Sequence, residues 1–92
     1  MPLTPEQREQ LENEVIMGTR AQTSYDNFIS QFVEDKKALL YESFKTVSIR
    51  DADDILGIKR MCQVIDNLDG EILQIIETGR LAAITLAESP GP

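Results

Sequence analysis

The chain contains no histidine and no tryptophan, and Cys62 is its one cysteine. Without histidine, no imidazole is present to activate a serine or cysteine nucleophile. A single thiol excludes an internal disulfide and cannot supply the Cys and His ligand set of a structural zinc site. No glycine-rich phosphate loop follows a predicted strand. These absences predict a protein that is not an enzyme and that holds no cofactor and no metal ion.

Basic residues are also scarce: nine Lys and Arg stand against 16 Asp and Glu, for a net charge of -7 at pH 7. This balance disfavours direct binding to nucleic acid or to an anionic membrane surface, because both depend on Lys and Arg. No signal peptide and no apolar run of membrane-spanning length is present, which favours a protein kept in a reducing cytoplasm. At 92 residues, the chain is predicted to be one small domain (1–92), and such domains often complete their cores by association.

The first half of the chain predicts one helix, from about residue 5 to residue 45. Thr4 and Gln7 form a capping box, and Pro5 suits the first position of a helix. Spacings of four and three then alternate, as in a packed helical seam. The predicted seam consists of Leu11, Val15, Gly18, Gln22, Tyr25, Ile29, Phe32, Lys36 and Leu39. Flanking residues widen it into a stripe, namely Phe28, Val33, Leu40 and Phe44.

The second half predicts a turn at 46–49 and a helix from about 50 to 78. Ser48 and Asp51 repeat the capping pattern, and Gly79 suits a C-terminal cap. The apolar stripe of this helix is Ile55, Ile58, Cys62, Ile65, Leu68, Ile72, Ile75 and Ile76. The two helices predict an all-α fold, a long antiparallel helical hairpin.

The segment after Gly79 is short and apolar, which predicts a third helix at about 81–88 before a disordered end at 89–92. With the bend centred near Ser48, Gly18 is predicted to face Thr78. Residues before Gly18 would then extend beyond the second helix, and the tail has the right length to cover them, in its own chain or on a neighbouring copy. The predicted partner-binding residues are Leu11, Val15, Ile16, Leu81, Ile84 and Leu86.

Charged residues form two further groups. Asp51, Asp53 and Asp54 could bind a hard cation, but negative charge is also favoured at the start of a helix, and we adopt that structural interpretation. The predicted register also places basic residues from both helices across the middle of the hairpin. These are Lys36, Lys37, Lys59 and Arg60. The basic band is either a solvated surface or a means of orienting subunits in an assembly.

The region from about Arg20 to Ala82 resembles a group of small proteins of unassigned function that are encoded by tailed phages. The resemblance rests on an aromatic-bearing first helix with Phe28 and Phe32, and on two short motifs. The motifs are Ser48-Ile49-Arg50-Asp51 and Thr78-Gly79-Arg80-Leu81-Ala82. Where those proteins usually carry an aromatic residue near the start of the second helix, this chain has Ile55 and Ile58. The resemblance implies a gene near head and portal genes, and thus a role in virion assembly.

Three classes of function follow from these observations. The first is a homo-oligomeric interaction module, acting as a minor virion component or assembly factor in the host cytoplasm, and in the virion if it stays in the particle. Its partners would be copies of itself and phage structural proteins. The second is a small acidic inhibitor that binds a host polymerase, nuclease or defence factor, by helix docking or by charge mimicry. The third, an enzyme or metal protein, is disfavoured by the missing histidines.

Overall fold

The computed structural model describes residues 2–89, and within that range the chain is helical with no strand. Helix α1 spans Pro5–Ser24, a π-helical segment spans Tyr25–Ile29, and α2 spans Ser30–Thr46. Helix α3 spans Ala52–Glu88. The first three run on as one long helix that packs against α3, and the hairpin measures 65 × 23 × 15 Å. The predicted all-α antiparallel hairpin is confirmed.

Side-chain caps define both helix starts. The Thr4 hydroxyl accepts a hydrogen bond from the Gln7 backbone N–H at 3.1 Å, and the Gln7 side chain accepts one from the Thr4 N–H at 2.9 Å. This is the predicted capping box. In the loop, the Asp51 carboxylate accepts a hydrogen bond from the Asp54 N–H at 3.2 Å. Asp51 is therefore the N-cap in place of the predicted Ser48, and helix α3 begins at Ala52, two residues later than predicted.

The C-terminal part of the chain corrects the predicted break at Gly79. Helix α3 continues through Gly79 to Glu88, so residues 81–88 are helical but form the last turns of α3 and not a separate third helix. Gly79 is a packing residue: a Cβ built on it would lie 2.8 Å from the Gly18 Cα. Ser89 caps α3, and the rest of the predicted disordered end, residues 90–92, lies outside the described residues.

The π segment shifts the seam of the long helix by one residue. Before it, residues on the seam are seven apart, at Leu11, Gly18 and Tyr25; after it, they are again seven apart, at Val33 and Leu40. Tyr25 and Val33 are separated by eight residues, and a π segment accommodates the additional one because its turn is wider than that of an α-helix. All five residues are buried or half-buried.

This shift corrects the second half of the predicted seam. Phe32, Lys36 and Leu39 were predicted to face the second helix, but all three are exposed. Val33 is buried instead. If heptad spacing is continued through Tyr25–Ile29, every seam residue predicted after this segment is one position too early in the sequence.

The interior of the hairpin is small. Among the described residues, only three apolar side chains, those of Val33, Ile65 and Ala82, are buried. Two helices meet along one seam, so each buries only a narrow stripe of its surface. Most large apolar side chains of the chain therefore remain exposed.

Candidate interaction surface

Residues 81–88 lie against the beginning of α1 in the same chain. Gly18 contacts Gly79, one residue away from the predicted facing residue Thr78. Val15 and Ala83 line the same groove as these two glycines. The start of α1 is thus covered by the last turns of α3, which corrects the prediction that it extends beyond the second helix.

The six predicted partner-binding residues fall into two groups. Leu11, Val15 and Leu86 are half-buried, and heptad spacing from Gly18 and Gly79 places Leu11 and Leu86 along the seam. Ile16, Leu81 and Ile84 are exposed. The second group points away from the seam, on outer surfaces of α1 and α3. The structure does not bring the six together into one surface, and their role in partner binding stays a prediction.

A different set of exposed apolar residues lies along one face of the hairpin. On α3, Met61, Leu68 and Ile75 are seven residues apart, and Val64 lies between the first two. Heptad spacing keeps such residues on one side of a packed helix. Ile75 lines a groove at the open end of the hairpin, where the two helices begin and end, and Met61 lines one at the loop end.

The long helix contributes its own apolar residues to the same face. Met17 lines the open-end groove together with Ile75. Thr46 lines the loop-end groove with Met61, and Leu39 and Phe32 lie seven and 14 residues before Thr46. Phe28 stacks on Phe32 with ring centroids 6.2 Å apart. We call this surface the apolar face. It consists of Met17, Phe28, Phe32, Leu39, Met61, Val64, Leu68 and Ile75.

Charge is unevenly distributed along the apolar face. The open-end groove, of about 480 Å³, has Glu6, Glu9 and Glu14 among its lining residues and no basic residue. Towards the loop end, the Lys36 ammonium lies 5.7 Å from the centroid of the Phe32 ring, over its face. Asp53 and Asp54 line the loop-end groove. Both ends of the face therefore carry carboxylates, and the aromatic part between them carries a positive charge.

The other side of the hairpin carries an ion pair between the helices, and we call it the opposite face. Lys37 and Asp66 form an ion pair at 3.1 Å that joins α2 to α3. Both line a groove that also includes Tyr41, Phe44 and Lys59. The predicted basic band is thus divided: Lys37 and Lys59 line this groove together with Asp66, whereas Lys36 lies over Phe32 on the apolar face.

Tyr25 and Asp69 form the one part-buried side-chain hydrogen bond between the helices of the described chain. The Tyr25 hydroxyl donates to the Asp69 carboxylate at 2.8 Å. Hydrogen bonds to an ionised acceptor are short and comparatively strong. This bond, with desolvation and nearby carboxylates as smaller causes, raises the pKa of the Tyr25 phenol above its ordinary value of 10.0.

This hydrogen bond predicts an alkaline loss of stability. Because the folded pKa of Tyr25 is raised, its contribution is fully present below pH 10.0 and is lost as pH rises through the raised value. We expect Tyr25→Phe to have a lower Tm than the wild type at pH 7, and the difference to vanish at strongly alkaline pH. Thermal unfolding followed by circular dichroism at several pH values would measure this. A Tm difference that is constant with pH would contradict the assigned role of the hydroxyl.

The acidic cluster at the start of α3 fits a helix N-terminus. Asp51 is the N-cap, and Asp53 and Asp54 lie in the first turn, where the helix dipole favours negative charge. The hydrogen bond to Asp51 raises the pKa of Asp54. Within residues 2–89, no group of three His, Cys, Asp or Glu side chains is placed to hold a metal ion. Cys62, part of the predicted apolar stripe of the second helix, is half-buried and lines the groove on the opposite face.

Comparison with known proteins gives no relative for this chain: no protein-family model, no curated protein and no solved structure matches it. No helix among the described residues is long and apolar enough to cross a membrane.

Proposed function

We propose that this chain is a non-enzymatic protein–protein interaction module that self-associates and acts in phage particle assembly, as a minor virion component or assembly factor. The observation that carries the proposal is the apolar face. Its eight exposed apolar side chains include two stacked phenylalanines, and nothing within the described chain covers them. Contiguous exposed apolar surface of this kind marks a site of interaction.

The total surface area supports the same proposal. The chain exposes 7070 Å², whereas a globular monomer of its 10.3 kDa mass exposes about 5400 Å². A standard interface removes about 800 Å² from each partner. The excess, about 1700 Å², is about twice the area that such an interface removes from one partner.

Assembly is supported by the sequence resemblance and by the chemistry of the chain. Phage-type proteins with the motifs at Ser48–Asp51 and Thr78–Ala82 suggest a place near head and portal components. A net charge of -7 favours protein partners over nucleic acid as the direct ligand. The proposed site of action is the host cytoplasm, where particles are assembled.

The experiment that tests self-association is the solution mass, measured by light scattering across a concentration series. We expect a mass that is a fixed multiple of 10.3 kDa at high concentration and that falls on dilution. A monomer at every concentration would overturn homo-oligomeric assembly. The acidic-inhibitor function would then become the leading proposal, with the apolar face as the surface that binds the host protein.

A further inference from the structure

We propose that the apolar face binds the same face of a second copy, with the two hairpins in opposite orientations, so that the loop end of one lies over the open end of the other. This inference rests on the proposed self-association and adds to it the face, the orientation and the pairs of residues that meet. The product is a four-helix bundle with twofold symmetry, in which each copy completes the core of the other.

The two faces of the hairpin differ in the side chains that they expose. The apolar face carries eight large exposed apolar side chains and no ion pair between the helices, whereas the opposite face carries the ion pair of Lys37 with Asp66 beside the exposed Tyr41 and Phe44. Aromatic residues and methionine are enriched in the centres of interfaces, and charged residues are depleted there. Phe28, Phe32 and two methionines lie on the apolar face.

The charge of Lys36 favours opposite orientations of the two copies. If both loops lay at the same end, Glu6, Glu9 and Glu14 of each copy would gather at the other end, and six carboxylates would repel one another. In opposite orientations, the acidic open end of one copy meets the lysine-bearing part of its partner. A symmetric dimer makes this contact twice.

The positions of residues along the hairpin determine which residues of the two copies meet. The midpoint of the long helix, Pro5 to Thr46, lies near residue 25. A twofold axis that lies between the two faces, level with this midpoint and perpendicular to the length of the hairpin, brings Lys36 of one copy over Glu14 of the other, because the two lie at equal distances on either side. Phe32 then lies over the open-end groove beside Met17. Sulfur–aromatic contact and an ion pair would form at each end of the interface.

A matched pair of variants on α3 tests which face is used. Leu68 and Leu73 are each 43% exposed, and they lie about 140° apart around the helix. We expect Leu68→Ser to raise the dissociation constant at least about tenfold, and Leu73→Ser to change it less than about twofold. Phe28→Ala and its control Phe44→Ala, at 68% and 56% exposure, form a second pair on the long helix. The constants are measured by sedimentation equilibrium, and circular dichroism checks that each variant is helical.

Charge exchange tests the orientation. Glu14→Lys and Lys36→Glu should each weaken association, and the double variant should restore it to within about threefold of the wild type. A distance provides an independent check: a spin label on Ser48→Cys, in a Cys62→Ser background, reports the separation of the two loops. Opposite orientations place the loops at opposite ends of a rod 65 Å long, whereas the loop-to-loop arrangement brings them close together.

The outcomes separate this inference from the proposed function. If the wild-type chain stays monomeric, both the proposed self-association and this inference are wrong. An oligomer weakened by Leu73→Ser and not by Leu68→Ser, or weakened equally by the two, overturns the choice of face and leaves self-association standing. A short distance between loop labels, or a double charge variant that binds no better than the single ones, overturns the opposite orientation. A selective Leu68 effect with widely separated loops supports the whole inference.

Discussion

Replacing Gly79 by leucine is expected to separate the helices at the open end and to lower the free energy of unfolding by about 3 kcal/mol or more. A Cβ at position 79 would lie 2.8 Å from the Glu14 carbonyl oxygen and 2.8 Å from the Gly18 Cα. Both are backbone atoms, so no side-chain rotation relieves the clash. The two helices must move apart, and the buried contact of Ala82 is lost with them. Urea unfolding followed by circular dichroism measures the effect.

Gly70 provides the matched control on the same helix. Nothing lies within 4 Å of a Cβ built at Gly70, so a side chain there meets open space. Gly70→Leu should raise stability slightly, by about 0.5 kcal/mol, because leucine favours the helix more than glycine does. If Gly79→Leu behaved like Gly70→Leu, the close crossing of α1 and α3 would not be present in solution.

The role of Gly79 could not be predicted from the residues near it in the sequence. Glycine after an apolar helix is most often a C-cap, and the sequence favoured that interpretation. The deciding feature is Gly18, 61 positions earlier in the chain, which lets the two backbones meet at Gly79. A long-range contact of this kind has no signature in the residues around either glycine. The capping box at Thr4, by contrast, involves residues three apart and was predicted correctly, whereas the cap predicted at Ser48 is formed by Asp51.

The π segment limits prediction of the candidate site in the same way. Heptad spacing predicted that Phe32 and Leu39 lie in the seam. The sequence analysis therefore did not identify their side chains as exposed. One additional residue between Tyr25 and Val33 rotates everything that follows by about 100°, which moves both side chains onto the apolar face. The signal was present in the sequence, because Val33 and Leu40 are an equally good heptad pair. Only the break in spacing at Tyr25–Ile29 distinguishes the two alternatives.

Ile65→Asp should unfold the hairpin at neutral pH. Ile65 is 7% exposed and lies on the seam, which has only two other buried apolar side chains among the described residues. Burying an unpaired carboxylate there costs several kcal/mol, and the lost isoleucine contacts add to it. A domain of this length has a total stability of about 5 to 14 kcal/mol. The substitution therefore removes most or all of it, and circular dichroism should show little helix at low protein concentration.

Leu73→Asp controls for the added charge and for the weak helix propensity of aspartate. It lies on the same helix, exposed, outside both the seam and the apolar face, so its cost should stay below about 1 kcal/mol. The pH dependence separates a buried charge from lost packing. Burial raises the pKa of the new carboxyl at position 65, so the neutral form is favoured in the folded chain. Part of the lost stability should return as the pH falls through that raised value, an effect absent from Leu73→Asp. If Ile65→Asp still melted cooperatively at the wild-type temperature, the seam between α2 and α3 would not be the core of this protein.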